Sequence, residues 1–382
     1  MDELFLNGNK IVLITKEILR ADYLPVYGNS YWQTPNIDEL AAKGTVFKEH
    51  FTSAPSTAMA VISMFSGLEP YELELKVYSE VDRFCQVPTL FDVLQKSGFS
   101  CNIVWSTAEY KLTYKYTKCF GNETTKIFNI NTTSIKDTLS VIDNINEEKI
   151  FIWIHLPYTL EGRPSYGSDI DLFDYFIGDI RKRFDDNCIY ISADHGNMSL
   201  NKGKVGYGFH VYNDNIVIPL ITPRIQNFKD VEFPTSIKQL KDIILYQNIQ
   251  KQPFIYSDTK YYLQAGRILC IIKANYKYIY NKIDKSEELY DFKWDQKENV
   301  NLIKFINDER IYETSRRKIY PYRRMYFYPY LKEAEEAYLL LKNEKDRIWK
   351  EGPYLIEKLK LFKELFRIKR ALIKKYFFEK KK

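Results

Sequence analysis

Thr57, Asp194, His195, Glu17 and His210 are the residues of this chain whose types and settings suit chemistry. Turn-forming Pro55-Ser56 precedes Thr57, and an apolar run with no breaker follows it as far as Gly67. That pattern predicts a short buried helix with Ser56 as N-cap and Gly67 as its stop. A hydroxyl at the first helical position sits among unpaired backbone N–H groups at the positive end of the dipole. Anions bind there, and an alkoxide forms more readily there, above all beside a metal ion. Thr57 would serve equally as a plain cap, so the rest of the chain has to decide. Asp194-His195-Gly196 supplies an adjacent carboxylate and imidazole that can share one cation, with a glycine that lets the backbone close around it. Of the four histidines, His155, His195 and His210 fall at expected strand ends or in the Gly-rich 206–210 loop, and His50 lies just ahead of the Thr57 stretch.

These side chains need elements to hold them. Residues 10–15, 100–105, 149–154, 188–192 and 216–221 are apolar, largely β-branched runs that read as buried strands. Residues 34–44, 88–98, 137–145 and 170–184 read as helices, the first started by Pro35 and stopped by Gly44. The alternation predicts an α/β fold with a doubly wound, mostly parallel sheet. Sites in such sheets form at the carboxyl ends of strands, which is where Glu17, His155 and Asp194 fall.

Composition sets the outer bounds. The chain has 382 residues, 45% of them hydrophobic, and a net charge of +6, so it can bury a large core and is not a disordered polyion. Cys85, Cys101, Cys119, Cys188 and Cys270 are scattered without C-x-x-C spacing, which excludes a zinc ribbon or disulfide framework and favours a reducing compartment. The N-terminus lacks a basic leader, and no run approaches the roughly 20 apolar residues needed to cross a bilayer. The expectation is a cytoplasmic protein. From about residue 310 the texture changes. Residues 316–329 interleave basic and aromatic side chains, suited to packing on the domain or to stacking on a lipid interface or a nucleic acid. Residues 332–349 read as a helix, and 354–378 as a basic amphipathic helix suited to an anionic membrane surface or a partner helix.

The motifs, taken in order, resemble the sulfatase branch of the alkaline-phosphatase superfamily across residues 9–305. Residues 11–28, with Glu17, Arg20 and Asp22, resemble that family's first strand and metal loop. Residues 34–44 followed by Phe47 resemble its next helix. Gly266-Arg267, 277–281, 288–292, Asp295, Glu298-Asn299 and Asn301-Leu302 resemble its C-terminal subdomain. The resemblance implies a catalytic α/β domain over 1–250 and a small α+β subdomain of the same fold over 251–309; the change of texture marks off a basic, aromatic, helical extension over 310–382.

The departures from that pattern redirect the chemistry. Sulfatases carry a Cys or Ser that becomes formylglycine, followed by x-Pro-x-Arg; here Thr57 holds the place and neither Pro nor Arg follows. Lys16-Glu17 replaces their two successive aspartates. Glu17, Thr57, Asp194 and His195 instead resemble the site of phosphoethanolamine and phosphoglycerol transferases. The resemblance implies one divalent ion on those four residues, zinc or manganese rather than calcium or magnesium. It assigns His210 to substrate phosphate or leaving group and His155 to substrate binding. The family's second histidine after that strand is missing, so either Arg163 or Glu161 takes over phosphate or head-group contact, or the donor differs. The implied reaction is transfer or hydrolysis of a phosphate ester through a phospho-threonine. A phospholipid or other phosphodiester would be the donor and a surface-glycan precursor the acceptor, at the inner face of the membrane; nucleic acid is not expected as a partner. The alternatives are a sulfuric-ester hydrolase of broad specificity and a non-catalytic glycan- or nucleic-acid-binding member.

Overall fold

β-Branched runs become the middle of one large sheet. The computed structural model describes residues 4–6, 8–72, 87–106, 124–130, 132–163, 167–259, 268–308 and 328–349. In chain order the main elements are β1 (Lys10–Lys16), α1 (Pro35–Lys43), β2 (Thr45–Phe47), α2 (Thr57–Ser66), α3 (Leu90–Lys96), β3 (Ser100–Ser106), β4 (Lys126–Ile130), α4 (Ile135–Ile142), β5 (Ile150–Leu156), α5 (Ile170–Arg181), β6 (Ile189–Ala193), β7 (Leu220–Thr222), β8 (Asp230–Val231) and α6 (Leu240–Tyr246). A second group comprises β9 (Ile255–Asp258), β10 (Ile268–Lys273), β11 (Tyr276–Asn281), β12 (Glu287–Asp291) and the long α7 (Tyr328–Ile348).

The eight-stranded sheet runs β8-β2-β7-β6-β1-β5-β3-β4. β6, β1, β5, β3 and β4 are parallel neighbours, and β7 alone runs against its two neighbours. Every residue of β5 is buried. Side chains alternate between faces along a strand, so both faces of the sheet must be covered. On one face Phe65 of α2 and Phe91 of α3 pack edge-on against Trp153 and Phe151 of β5. Helix pairing also shows in side-chain caps. The Asp174 carboxylate of α5 accepts the Ile37 N–H at 2.9 Å and the Asn36 side-chain amide at 2.8 Å, which holds the N-terminus of α1.

The doubly wound α/β expectation therefore holds, with one revision. Residues 216–221 were expected to be a strand; Asn213–Ile216 is a turn of helix, and the strand is confined to β7. Pro219 cannot donate to a ladder; its carbonyl instead accepts the Ser192 hydroxyl at 2.9 Å.

β9 to β12 form a separate four-stranded antiparallel sheet. Its inner face shares a core with Phe51, Met198, Val211, Tyr212 and Ile216, and its other face is covered by α7 through Ala334 and Leu341. Among the described residues no helix is long and apolar enough to cross a membrane. Cys101, Cys188 and Cys270 are buried free thiols. Gly266-Arg267, the 316–327 part of the basic-aromatic stretch and the whole 354–378 helix lie outside the described residues.

Candidate active site

The site is built at the carboxyl edge of the central strands. β6 ends at Ala193 and delivers Asp194 and His195, both fully buried. β1 ends at Lys16; Glu17 follows in a turn, half-buried, and Ile18 then takes φ of +56°. A β-branched residue with positive φ is strained. Its N–H is held by the Asp194 carboxylate, Oδ1, at 3.0 Å. The strained turn thus ties the Glu17 loop to Asp194.

α2 brings Thr57 to the same place. Its other nine residues are buried, and Gly67 closes it with φ of +77° and an N–H bond to Ser63 O at 2.9 Å. Ser56 occupies the N-cap position with extended backbone but makes no side-chain cap bond, so the first N–H groups of the helix remain open toward the site. Thr57 Oγ1 lies 3.2 Å from His195 Nε2.

The His195 tautomer follows from its contacts. Nδ1 lies 2.8 Å from the Gly196 carbonyl, which can only accept, so Nδ1 carries the proton. Nε2 is left as a lone pair facing the Thr57 hydroxyl and, at 3.4 Å, Asp194 Oδ2. That carboxylate oxygen is buried and has no hydrogen-bond partner among the described residues. Two electron-rich atoms facing each other in a dry pocket repel unless a cation lies between them. The donor set therefore fits a divalent ion. Asp194, His195 and Thr57 converge, while among the described residues no three His, Cys, Asp or Glu side chains do so. Glu17 adjoins the group through its turn.

Lys16 is committed elsewhere. Its buried ammonium donates to the carbonyls of Pro157 (3.3 Å) and Tyr158 (2.7 Å) and pairs with buried Asp169 at 3.0 Å. Burial pulls its pKa down, and Asp169 pulls it back. Lys16 thus ties Pro157, Tyr158 and Asp169 to the end of β1, a role that its sequence position did not announce.

His155, the penultimate residue of β5, is buried, and its Nδ1 is 2.8 Å from Thr15 Oγ1. Burial holds its pKa down at about 4, although the Asp194 charge opposes the shift. His210 is half-buried on the loop after β6, its ring 6.1 Å from Tyr212. Burial, then Lys204, lowers its pKa to about 4 against the pull of Glu288. It makes no hydrogen bond to Thr57. Tyr207 of the same loop lies over the His195 ring at 4.7 Å. Arg163 is on the surface, paired with Asp171 at 3.2 Å. Glu161 caps α4 by accepting the Ile135 N–H at 2.6 Å. Neither reaches the Thr57 group. His50 lies in the core against Thr235 at 2.9 Å.

Comparison with known proteins gives this geometry a setting. Residues 9–157 match the family model described as Sulfatase. Over 58 residues the chain is 38% identical to the arylsulfatase of Clostridium perfringens (strain 13 / Type A), a match covering 15% of this chain and only 12% of that protein's length. A Bacteroides thetaiotaomicron VPI-5482 protein assigned as a sulfatase superposes with a TM-score of 0.63 at 15% identity, over 89% of this chain and 93% of its own. The phosphonate monoester hydrolase of Agrobacterium radiobacter superposes with a TM-score of 0.58 at 13% identity, over 81% and 93%. The chain shares the fold of these structures, and the likeness in sequence to the Sulfatase family model lies within residues 9–157.

Proposed function

We propose that this protein is a metal-dependent enzyme that cleaves or transfers a phosphate ester through Thr57. The observation that carries the reading is the Thr57 hydroxyl at the uncapped start of α2, against the His195 lone pair and the orphaned Asp194 oxygen. Oxidation of a threonine side chain gives a ketone, not the aldehyde that sulfatases use, so the hydroxyl itself has to be the nucleophile.

Glu17, Asp194 and His195 would hold a divalent ion with Thr57, and such an ion would supply positive charge that lowers the hydroxyl pKa and polarises a phosphoryl oxygen. Thr57 Oγ1 gives its proton to solvent water and attacks phosphorus in line; the new O–P bond forms as the bond to the leaving alkoxide breaks, and the alkoxide takes a proton from water and departs as the alcohol. The open N–H groups of α2 receive the equatorial oxygens. His210 is neutral near pH 7, which suits it to accept the proton of an incoming hydroxyl in the second half-reaction. With water as acceptor the enzyme is a hydrolase; with a glycan hydroxyl it is a transferase drawing on a phospholipid-type diester. A membrane-surface location, with residues 354–378 as the contact, belongs to the transferase form of the proposal.

Sulfuric-ester hydrolysis is the second reading, favoured by the match of residues 9–157 to sulfatases. Initial rates on nitrophenyl sulfate, phosphate monoester and phosphodiester, with zinc or manganese, separate the two. Diester cleavage should fall by roughly 10³-fold or more in Thr57→Ala. Chelation should abolish it, and zinc or manganese should restore it. Sulfate cleavage that survives in Thr57→Ala would sink the threonine mechanism.

A further inference from the structure

Behind the site, three side chains on the α2 face of the sheet are joined in series. Trp153 is fully buried, and its indole Nε1–H donates to Thr15 Oγ1 at 2.9 Å. Thr15 Oγ1 lies 2.8 Å from His155 Nδ1 and 3.5 Å from the Ile154 carbonyl. The series starts from a group with no choice, because an indole nitrogen can only donate. Thr15 accepts that bond and has one hydrogen to give. The contact to Nδ1 is a full-strength hydrogen bond, whereas 3.5 Å is beyond the normal O–H···O range. The hydrogen therefore points at Nδ1, which must then be the unprotonated ring nitrogen.

We propose that Trp153 and Thr15 are positioning residues that fix His155 as the neutral tautomer with its proton on Nε2. Nε2 is buried and has no partner among the described residues, so this tautomer presents an unspent donor. The Trp105 ring, with its centroid 4.2 Å from that of His155 at 36°, walls the imidazole on one side, and Trp153 lies at 5.7 Å. An unspent N–H on a ring within reach of the Asp194 charge suits an ester oxygen of the phosphoryl or sulfuryl class. It cannot serve as a general base. The inference concerns the ring's proton and stands whichever ester is the substrate.

The test is the imidazole ¹⁵N shifts of His155 in the full chain labelled with ¹⁵N-histidine, assigned against His155→Gln. In the wild type, Nε2 should show the protonated shift and Nδ1 the pyridine-like shift at neutral pH. Trp153→Phe removes the obligatory donor and frees Thr15 to accept from Nδ1, so the two shifts should move toward each other. Thr15→Ser should keep the wild-type pattern and Thr15→Val should lose it, a comparison that carries the test if Trp153→Phe does not fold. A proton on Nδ1 in the wild type, or an unchanged pattern in both Trp153→Phe and Thr15→Val, would overturn the proposal. No turnover is measured, so a wrong assignment of the reaction would leave the result readable.

Discussion

Glu69 is a fully buried carboxylate, with Lys238 3.5 Å away and one oxygen unpartnered among the described residues. Burial pushes its pKa up to about 7, against the pull of Lys238. From the ordinary value near 4.5 up to about 7 the folded state binds more protons than the unfolded, so stability falls as pH rises through that window. His50 does the reverse: burial lowers its pKa to about 3, so its contribution is complete above the unfolded value of 6.5 and is lost as pH falls below it. The two slopes oppose each other between about pH 4.5 and 6.5. Glu69→Gln removes one of them. Its stability relative to the wild type should climb with pH by about 1.4 kcal/mol per unit, reaching roughly 3 kcal/mol at pH 7. Urea unfolding of both proteins at pH 5, 6 and 7 checks this; a constant difference would contradict it. Residue-level legibility was uneven. Thr57, Asp194 and His195 announced themselves because each follows a strand or opens a helix. Lys16 with Asp169, and Trp153 with Thr15, are bonds between distant stretches, and a tryptophan inside a strand reads as plain core.

Elements carry the site through close approaches that local sequence only partly reveals. α2 was readable from its turn, apolar run and terminal glycine, yet nothing there shows that Ser56 leaves the helix uncapped. The Asp194-His195-Gly196 turn was readable as a cation loop, but the demand for glycine comes from across the fold. A Cβ at Gly196 would stand 2.1 Å from the Asp214 carbonyl and 3.1 Å from Arg20 Cγ. The backbone carbonyl cannot yield. Arg20 is itself held, pairing with Asp214 at 2.8 Å and Asp22 at 2.5 Å. Gly196→Ala should therefore shift the turn whose carbonyl fixes the His195 tautomer. With His195 as a ligand of the proposed divalent ion, zinc should bind at least about 10-fold more weakly, with the far-UV spectrum retained. Zinc titration by calorimetry decides; wild-type affinity in the variant would show that the turn is not under this constraint. β7 was the element misread, since Val217 and Ile218 look like strand while Pro219 ends any ladder there.

At the scale of the whole molecule, the small sheet grips the loop that follows β6. Lys277 of β11 and Glu298 form a fully buried ion pair at 2.6 Å. Both also hold Asn213: Lys277 donates to its side-chain oxygen at 2.8 Å, and Glu298 accepts its N–H at 2.8 Å. Tyr212 donates to Glu288 of β12 at 2.9 Å, and Lys202 lies over the rings of Tyr212 and Tyr290. His210 lies between these anchors, so its position depends on a sheet outside the 9–157 match. That coupling was invisible in sequence, where the 277–298 stretch reads as part of a small C-terminal subdomain carrying a familiar motif. Removing one member of a buried pair leaves an uncompensated charge, whereas replacing both with uncharged groups restores much of the loss. Lys277→Met should destabilise the protein by about 3–5 kcal/mol, and adding Glu298→Gln should recover most of it while Asn213 keeps its acceptor. Thermal unfolding of the two variants tests the charge argument. Diester turnover by the double variant tests the coupling: stability regained with activity still reduced would place the loss in the position of the His210 loop, and full recovery of both would confine the pair to a structural role.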